Sequence, residues 1–231
     1  MIFPCIDLMG GKVVQLVQGR TRALEAESPE AMLRRFAAFP EIQVIDLDAA
    51  MGLGENAGLV EAIAAKAVCR IGGGVRTAAR ARRLVDLGAH RVIIGTSAFA
   101  GDGINAPLLA EIAAAVTPDR VVIALDSRDG HIVVKGWTHA TSFTAEEMVS
   151  QLEPFCSGFL CTYVDKEGMM QGTDLDWFRR LRAATDHEIT AAGGVSSLAE
   201  VKALHSMHVH AALGMAIYTG RISLDDLAAL L

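Results

Sequence analysis

Ile71-Gly72-Gly73-Gly74-Val75-Arg76-Thr77 follows a short apolar run, and its Gly-Gly-Val returns 193 − 73 = 120 residues on in Ala192-Gly193-Gly194-Val195-Ser196-Ser197. Three further landmarks repeat at a nearby offset of 119: Asp7 with Asp126, Asp46 with Asp165, and Gly95 with Gly214. Self-similarity at one spacing marks a duplicated unit. Outward from these points the chain alternates. Short, often β-branched runs at Ile2–Leu8, Ile42–Leu47, Val68–Ile71, Arg91–Ile94, Val121–Leu125, Gly158–Tyr163, Glu188–Ala191 and Val209–Leu213 read as strands. Helical patterns lie between and after them, at Pro29–Ala38, Leu59–Ala65, Ala78–Asp86, Pro107–Ala115, Ala145–Leu152, Leu175–Ala184, Leu198–Leu204 and Leu224–Leu230. Ser28 before Pro29, Thr144 before two glutamates and Ser197 before Leu198 are good helix starts. Eight βα units in strict alternation imply a parallel sheet, and eight strands close it. The expected fold is α/β, a single (β/α)8 TIM barrel over residues 1–231, built from two half-barrels.

Composition agrees. At 231 residues the chain has a normal length for one such barrel. With 52% hydrophobic and 21% charged residues it can bury a large core, which excludes a disordered or collagen-like chain. A formal charge of −6 argues against a nucleic-acid binder, though an anionic small ligand remains open because local fields set a pocket. No run is long and apolar enough for a membrane span, and Met1–Gly11 lacks a basic leader and holds Asp7, so no signal peptide is expected. Cys5, Cys69, Cys156 and Cys161 form no C-x-x-C pair, and three lie in apolar runs. They read as reduced thiols packed as small hydrophobes in a cytoplasmic protein.

Catalytic groups of such barrels sit at the C-terminal strand ends. Asp7 ends the first strand and Asp126 the fifth, opposite one another across the mouth, as acid–base work requires. Thr162 ends the sixth, with Asp165 and Glu167 in the loop beyond. The alternative for any one of these aspartates is a helix cap or a structural acceptor; two at matching positions point to chemistry. Glycine lets backbone N–H groups approach a phosphate closely, and the helix start behind it adds partial positive charge. Such a loop pair, Gly193-Gly194 with Gly214-Met215, follows strands seven and eight, and it appears a second time as Gly73-Gly74 with Gly95-Thr96 after strands three and four. Two phosphate sites on one mouth predict a long ligand with a phosphate at each end, Arg76 adding a charge-assisted contact to the first. The alternative is that these glycines only make tight turns. His205, His208 and His210 fall at the far face, so no metal site is expected there. Arg80, Arg82 and Arg83 read as a solvated helix face, and Trp137, after strand five, would stack on a base or cover the mouth.

As a set, Cys5-Ile6-Asp7-Leu8 through Leu16-Val17-Gln18-Gly19, Ile45-Asp46-Leu47-Asp48-Ala49, the two Gly-Gly-Val loops, Ala124-Leu125-Asp126-Ser127-Arg128-Asp129-Gly130 and Gly136-Trp137 are specific. Through them the chain resembles, end to end, the phosphoribosylformimino-aminoimidazole carboxamide ribonucleotide isomerase family of histidine biosynthesis. The resemblance implies a monomer that acts on a small bisphosphorylated aminoaldose, with no nucleic acid or membrane partner. It also implies an Amadori rearrangement to the ketose without cofactor or metal. Asp7 would be the base, Glu167 or Asp126 the acid, and Thr162 would bind the sugar or orient the acid.

Four positions depart from the family. Gln15 stands where Arg is usual, and Arg20 where an acid is usual. Glu167 replaces the acid of an Asp-Gly pair, and Met215 a basic residue. The loop Thr21–Ser28, which would fold over the ligand, is unusual in composition. The extra methylene of Glu167 moves its carboxyl by about one bond length, a misplacement that costs about a hundredfold in rate. Two other readings therefore stay open: a paralogue acting on another sugar phosphate, and a binder of phosphoribosyl ligands without turnover.

Overall fold

A computed structural model describes residues 1–17, 21–25, 28–101 and 103–231. Gln18, Gly19 and Arg20, quoted above for the resemblance and its departures, lie outside the described residues. Eight parallel strands form the barrel: β1 Ile2–Met9, β2 Ile42–Asp46, β3 Cys69–Gly72, β4 Arg91–Ile94, β5 Val121–Ala124, β6 Gly158–Thr162, β7 Glu188–Ala192 and β8 Val209–Leu213. Each pairs in parallel with its successor, and β8 closes on β1 through Ile2 opposite Ala211 and Pro4 opposite Leu213. One helix follows each strand as its barrel helix: α1 Pro29–Arg35, α2 Ala57–Ala64, α3 Ala78–Asp86, α4 Ala106–Val116, α5 Ala145–Leu152, α6 Leu175–Ala184, α7 Leu198–Ser206 and α8 Leu224–Ala228, with two further one-turn helices in the loops after β2 and β8. The expected (β/α)8 architecture is present, with no boundary shifted by more than three residues.

The helix starts follow from their caps. Ser28, Thr144 and Ser197 each accept a backbone N–H three residues on, and Thr144 with Glu147 closes a full capping box. All four cysteines are free and buried. Among the described residues no helix is long and apolar enough to cross a membrane.

Strand side chains alternate between two cores. Ile2, Ile6, Val121, Ile123, Phe159 and Cys161 pack outward in the large cluster beneath the helices. Phe3, Cys5, Ile93, Val122, Ala124, Leu160 and Ala212 form a second cluster in the barrel lumen. Counting by twos up the lumen takes Phe3 and Cys5 to Asp7, Val122 and Ala124 to Asp126, and Leu160 to Thr162. It also takes Ile93 to Gly95 and Ala212 to Gly214. The chemistry-bearing residues are thus the top layer of the columns that fill the barrel. The floor is ionic: Arg70, fully buried, donates to Gln43 and Thr190, pairs with Glu188 and lies 3.6 Å over the Phe3 ring.

The half-barrel relation holds with one correction. The Cβ of an alanine at Gly73 would lie 2.3 Å from the Asp46 carbonyl oxygen, and at Gly193 it would lie 2.4 Å from that of Tyr163. Asp46 therefore corresponds to Tyr163, an offset of 117, and Asp165 to Asp48. The hydrogen bonds agree: Asp48 accepts the Gly10 N–H and Asp165 the Asp129 N–H, each from the loop of the preceding strand. Asp46 instead caps the one-turn helix Leu47–Met51 and accepts from both Asn56 nitrogens. The offset of 119 matched the wrong aspartate because the loop after β6 is aligned by strand register, which the sequence does not display.

The loops after β1 and β5 carry strands that bear on the mouth. After β1 an antiparallel hairpin, Lys12–Val17 with Thr21–Glu25, extends the sheet. Gly10 and Gly11, at φ +57° and +74°, make its two-residue entry turn. The segment Thr21–Ser28 thus begins as a strand, and not as the loop expected there. After β5 a three-stranded ribbon runs from Ser127 to Ala140.

Candidate functional site

The mouth at the C-terminal strand ends gathers three carboxyl groups. Asp7 comes from β1, Asp126 from two residues beyond β5, and Glu167 from the loop after β6. Burial pushes Asp7 up to about 7. Burial also lifts Glu167, and the charges of Asp7 and Asp126 add to it, taking it to about 8. Like charges that share a desolvated site cannot all ionise. Asp126 is raised by burial too, but Thr162 and Trp137 hydrogen-bond to its carboxylate and oppose the rise. The Trp137 indole N–H donates to Asp126 Oδ2 at 2.8 Å. At neutral pH the cluster therefore holds Glu167 largely protonated, Asp7 near its midpoint and Asp126 fixed by two donors. This arrangement can give one proton and take another across a single bound molecule.

The glycine loops flank this cluster. Gly73 and Gly74, at φ +115° and +65°, press on the carbonyls of Asp46 and Ala49; Gly193 and Gly194, at φ +89° and +78°, press on those of Tyr163 and Gly172. Here glycine is required by close backbone packing. Above Gly95 the space is open, whereas Gly214 is covered by the Gln15 carboxamide. Thr96 accepts the Lys135 N–H from the ribbon after β5. Arg76 donates to the carbonyls of Ala49 and Ala50. Met215 opens the one-turn helix Met215–Tyr218, whose Tyr218 hydroxyl donates to the Cys5 carbonyl. His205 ends α7, while His210 sits on β8 at 3.7 Å from Glu188 in the floor network.

Two partners escape a reading by strand ends alone. Trp137 reaches Asp126 because Lys135, Gly136 and Trp137 are successively left-handed, at φ +55°, +64° and +65°, and Arg128 clamps the Trp137 carbonyl at 2.8 Å. Gln15 reaches Asp7 from the hairpin. The Gly136-Trp137 pair is the sequence signal for the first, and the valine-rich run Lys12–Val17 with Gln15 as a departure from the family is that for the second.

The sequence matches the family described as histidine biosynthesis protein over residues 1–223. The chain belongs to that family. Several similar relatives share one name, 1-(5-phosphoribosyl)-5-((5-phosphoribosylamino)methylideneamino) imidazole-4-carboxamide isomerase. The protein of that name from Methanothermobacter thermautotrophicus is 37% identical over 98% of this chain and 96% of its own length. The one from Myxococcus xanthus is 36% identical over 97% and 96%, and the one from Aquifex aeolicus 32% over 98% and 96%.

Proposed function

We propose that this chain catalyses the aldose–ketose isomerisation named for its relatives, converting a bisphosphorylated ribosylamine to its ketose. The observation that carries the reading is the pairing of Glu167, which keeps its proton near neutrality, with Asp7, which titrates there, over one mouth. Glu167 protonates the ring oxygen as the sugar opens to the iminium at C1′. Asp7 takes the proton from C2′, giving the enaminol. The enaminol then collapses to the C2′ ketone: Asp7 returns its proton to C1′ and the C2′ hydroxyl proton restores Glu167. A hydrogen has thus moved from C2′ to C1′, the ring oxygen keeps the proton it took, and no atom is gained or lost. Asp126, held by Thr162 and Trp137, places a fixed negative charge beside the developing cation. Of the two acids the sequence leaves open, Glu167 fits better, because nothing in its surroundings favours its charged form.

Gly73, Gly74, Gly95 and Thr96 would take one phosphate, with Arg76 held beside them by the Ala49 and Ala50 carbonyls, and Gly193, Gly194, Gly214 and Met215 the other. The open space over Gly95 supports the first. A monomer in the cytoplasm, working without a macromolecular partner, completes the proposal. The test is the pH profile of kcat/KM for the aminoaldose. A narrow bell is expected, rising near 7 as Asp7 ionises and falling near 8 as Glu167 loses its proton. A rate flat from pH 6 to 9 is incompatible with these roles.

A further inference from the structure

Gln15 lies in the hairpin strand beside β1 and is only 3% exposed. A buried carboxamide must be satisfied on both sides. Its Nε2 donates to the Val14 carbonyl at 3.0 Å and to Asp7 Oδ2 at 3.4 Å. Its Oε1 lies against Gly214, where an added Cβ would stand 2.3 Å from it. The amide has one workable orientation, since turning it over would set Oε1 against two oxygens. Gly214 has no left-handed φ (φ −111°), but its ψ of −97° is one that side chains disfavour, so an added Cβ there meets both the backbone's own restriction and the Gln15 oxygen. The hairpin register shifts between Gln15 and Leu16, a bulge of the kind that re-aims a side chain next to an active site.

We infer that Gln15 is the positioning residue of Asp7: wedged by Gly214, its carboxamide orients the carboxylate with an uncharged donor. Among the described residues, the other titratable groups facing Asp7 supply no positive charge. They are the Cys5 thiol on β1, the Glu167 carboxyl from the loop after β6, and the Tyr218 phenol from the one-turn helix after β8. The residue at position 15 therefore decides how readily Asp7 ionises. A neutral donor fixes its direction while leaving it able to accept a proton near neutrality; a cation in the same place would hold it ionised. The consequence for turnover rests on the isomerase reading, but the link between Gln15 and Asp7 does not.

The experiment is a 13C carboxyl NMR titration of Asp7 in the full ligand-free chain, the signal assigned with Asp7→Asn. Gln15→Met keeps the length and removes the donor, and should move the midpoint up by about 0.5–1 pH unit. Gln15→Lys should move it down by about 1 unit or more. Gly214→Ala, which displaces the carboxamide without touching it chemically, should reproduce the Gln15→Met shift, and the double variant should shift no further. In turnover, Gln15→Met should lower kcat about tenfold with little change in KM, and the acid limb should follow the titration. An Asp7 midpoint unmoved by both Gln15→Lys and Gly214→Ala, in folded protein, overturns the inference. Midpoints that move as expected in a chain that turns over no aminoaldose uphold the link and remove the isomerase role instead.

Discussion

Glu167→Gln tests whether an active-site carboxyl is kept at the expense of stability. Glu167 titrates near 8 in the fold and near 4.5 when unperturbed, burial being the main cause. A carboxyl raised in this way favours the native state only while it is protonated. Its contribution is full below about pH 4.5 and is lost as pH rises toward 8, at about 1.4 kcal/mol per pH unit. Over that window the loss approaches about 4 kcal/mol, and water at a half-buried group trims it to about 2–4 kcal/mol. The isosteric glutamine cannot ionise. The variant should therefore exceed the wild type in stability by about 2–4 kcal/mol at pH 8 and by less than about 1 kcal/mol at pH 5. Urea unfolding from pH 5 to 8 gives both curves. Turnover should fall at least about a hundredfold, the share of a proton donor. Parallel stability curves for the two proteins would refute the account of Glu167, as would turnover that survives the substitution.

Gly193→Ala should destabilise by about 3 kcal/mol, since its Cβ would meet the Tyr163 carbonyl at a φ of +89°. Gly95→Ala, whose Cβ would face open space and meet only the strain of a ψ of −121°, should destabilise by about 1 kcal/mol and raise KM; comparing unfolding curves with kinetics separates the two kinds of glycine. At the floor, burial works to raise Glu188, but the His210 hydrogen bond and Arg91 outweigh it and hold the carboxyl down at about 2. Its stabilisation is present above about pH 4.5 and is lost as pH falls toward 2, so Glu188→Gln should flatten the acid limb of the stability profile. That variant should also cost about 3–5 kcal/mol at pH 7, because buried Arg70 loses its countercharge. Trp137→Phe removes the indole donor to Asp126; its carboxyl should titrate higher and kcat should fall about tenfold with unfolding unaffected, read by NMR titration and kinetics.

The barrel was legible because its strands obey a simple rule: short β-branched runs end at Gly, Asp or Thr, and helices with proper caps follow. Asp7, Asp126 and Thr162 were legible for the same reason, lying on the lumen-facing side at or just beyond the ends of their strands. Contacts made by loops that leave the βα pattern were not. Trp137 meets Asp126 only through three successive left-handed residues, two of which are not glycine. Gln15 stood out as a departure from the family, but its reach to Asp7 depends on a hairpin that folds back along β1. Arg76 looked free to meet a phosphate, yet the carbonyls of Ala49 and Ala50 at the end of the one-turn helix Leu47–Met51 already bind it. Spacing along the chain cannot report such competition for a guanidinium.

The most direct test of the central claim is turnover of the histidine-pathway aminoaldose by the purified chain, with Asp7→Asn prepared alongside. Conversion to the ketose by the wild type, reduced at least about a thousandfold in the folded variant, is the expected result. A wild type that binds the bisphosphate without converting it, or an Asp7→Asn variant that turns it over at the wild-type rate, would contradict it.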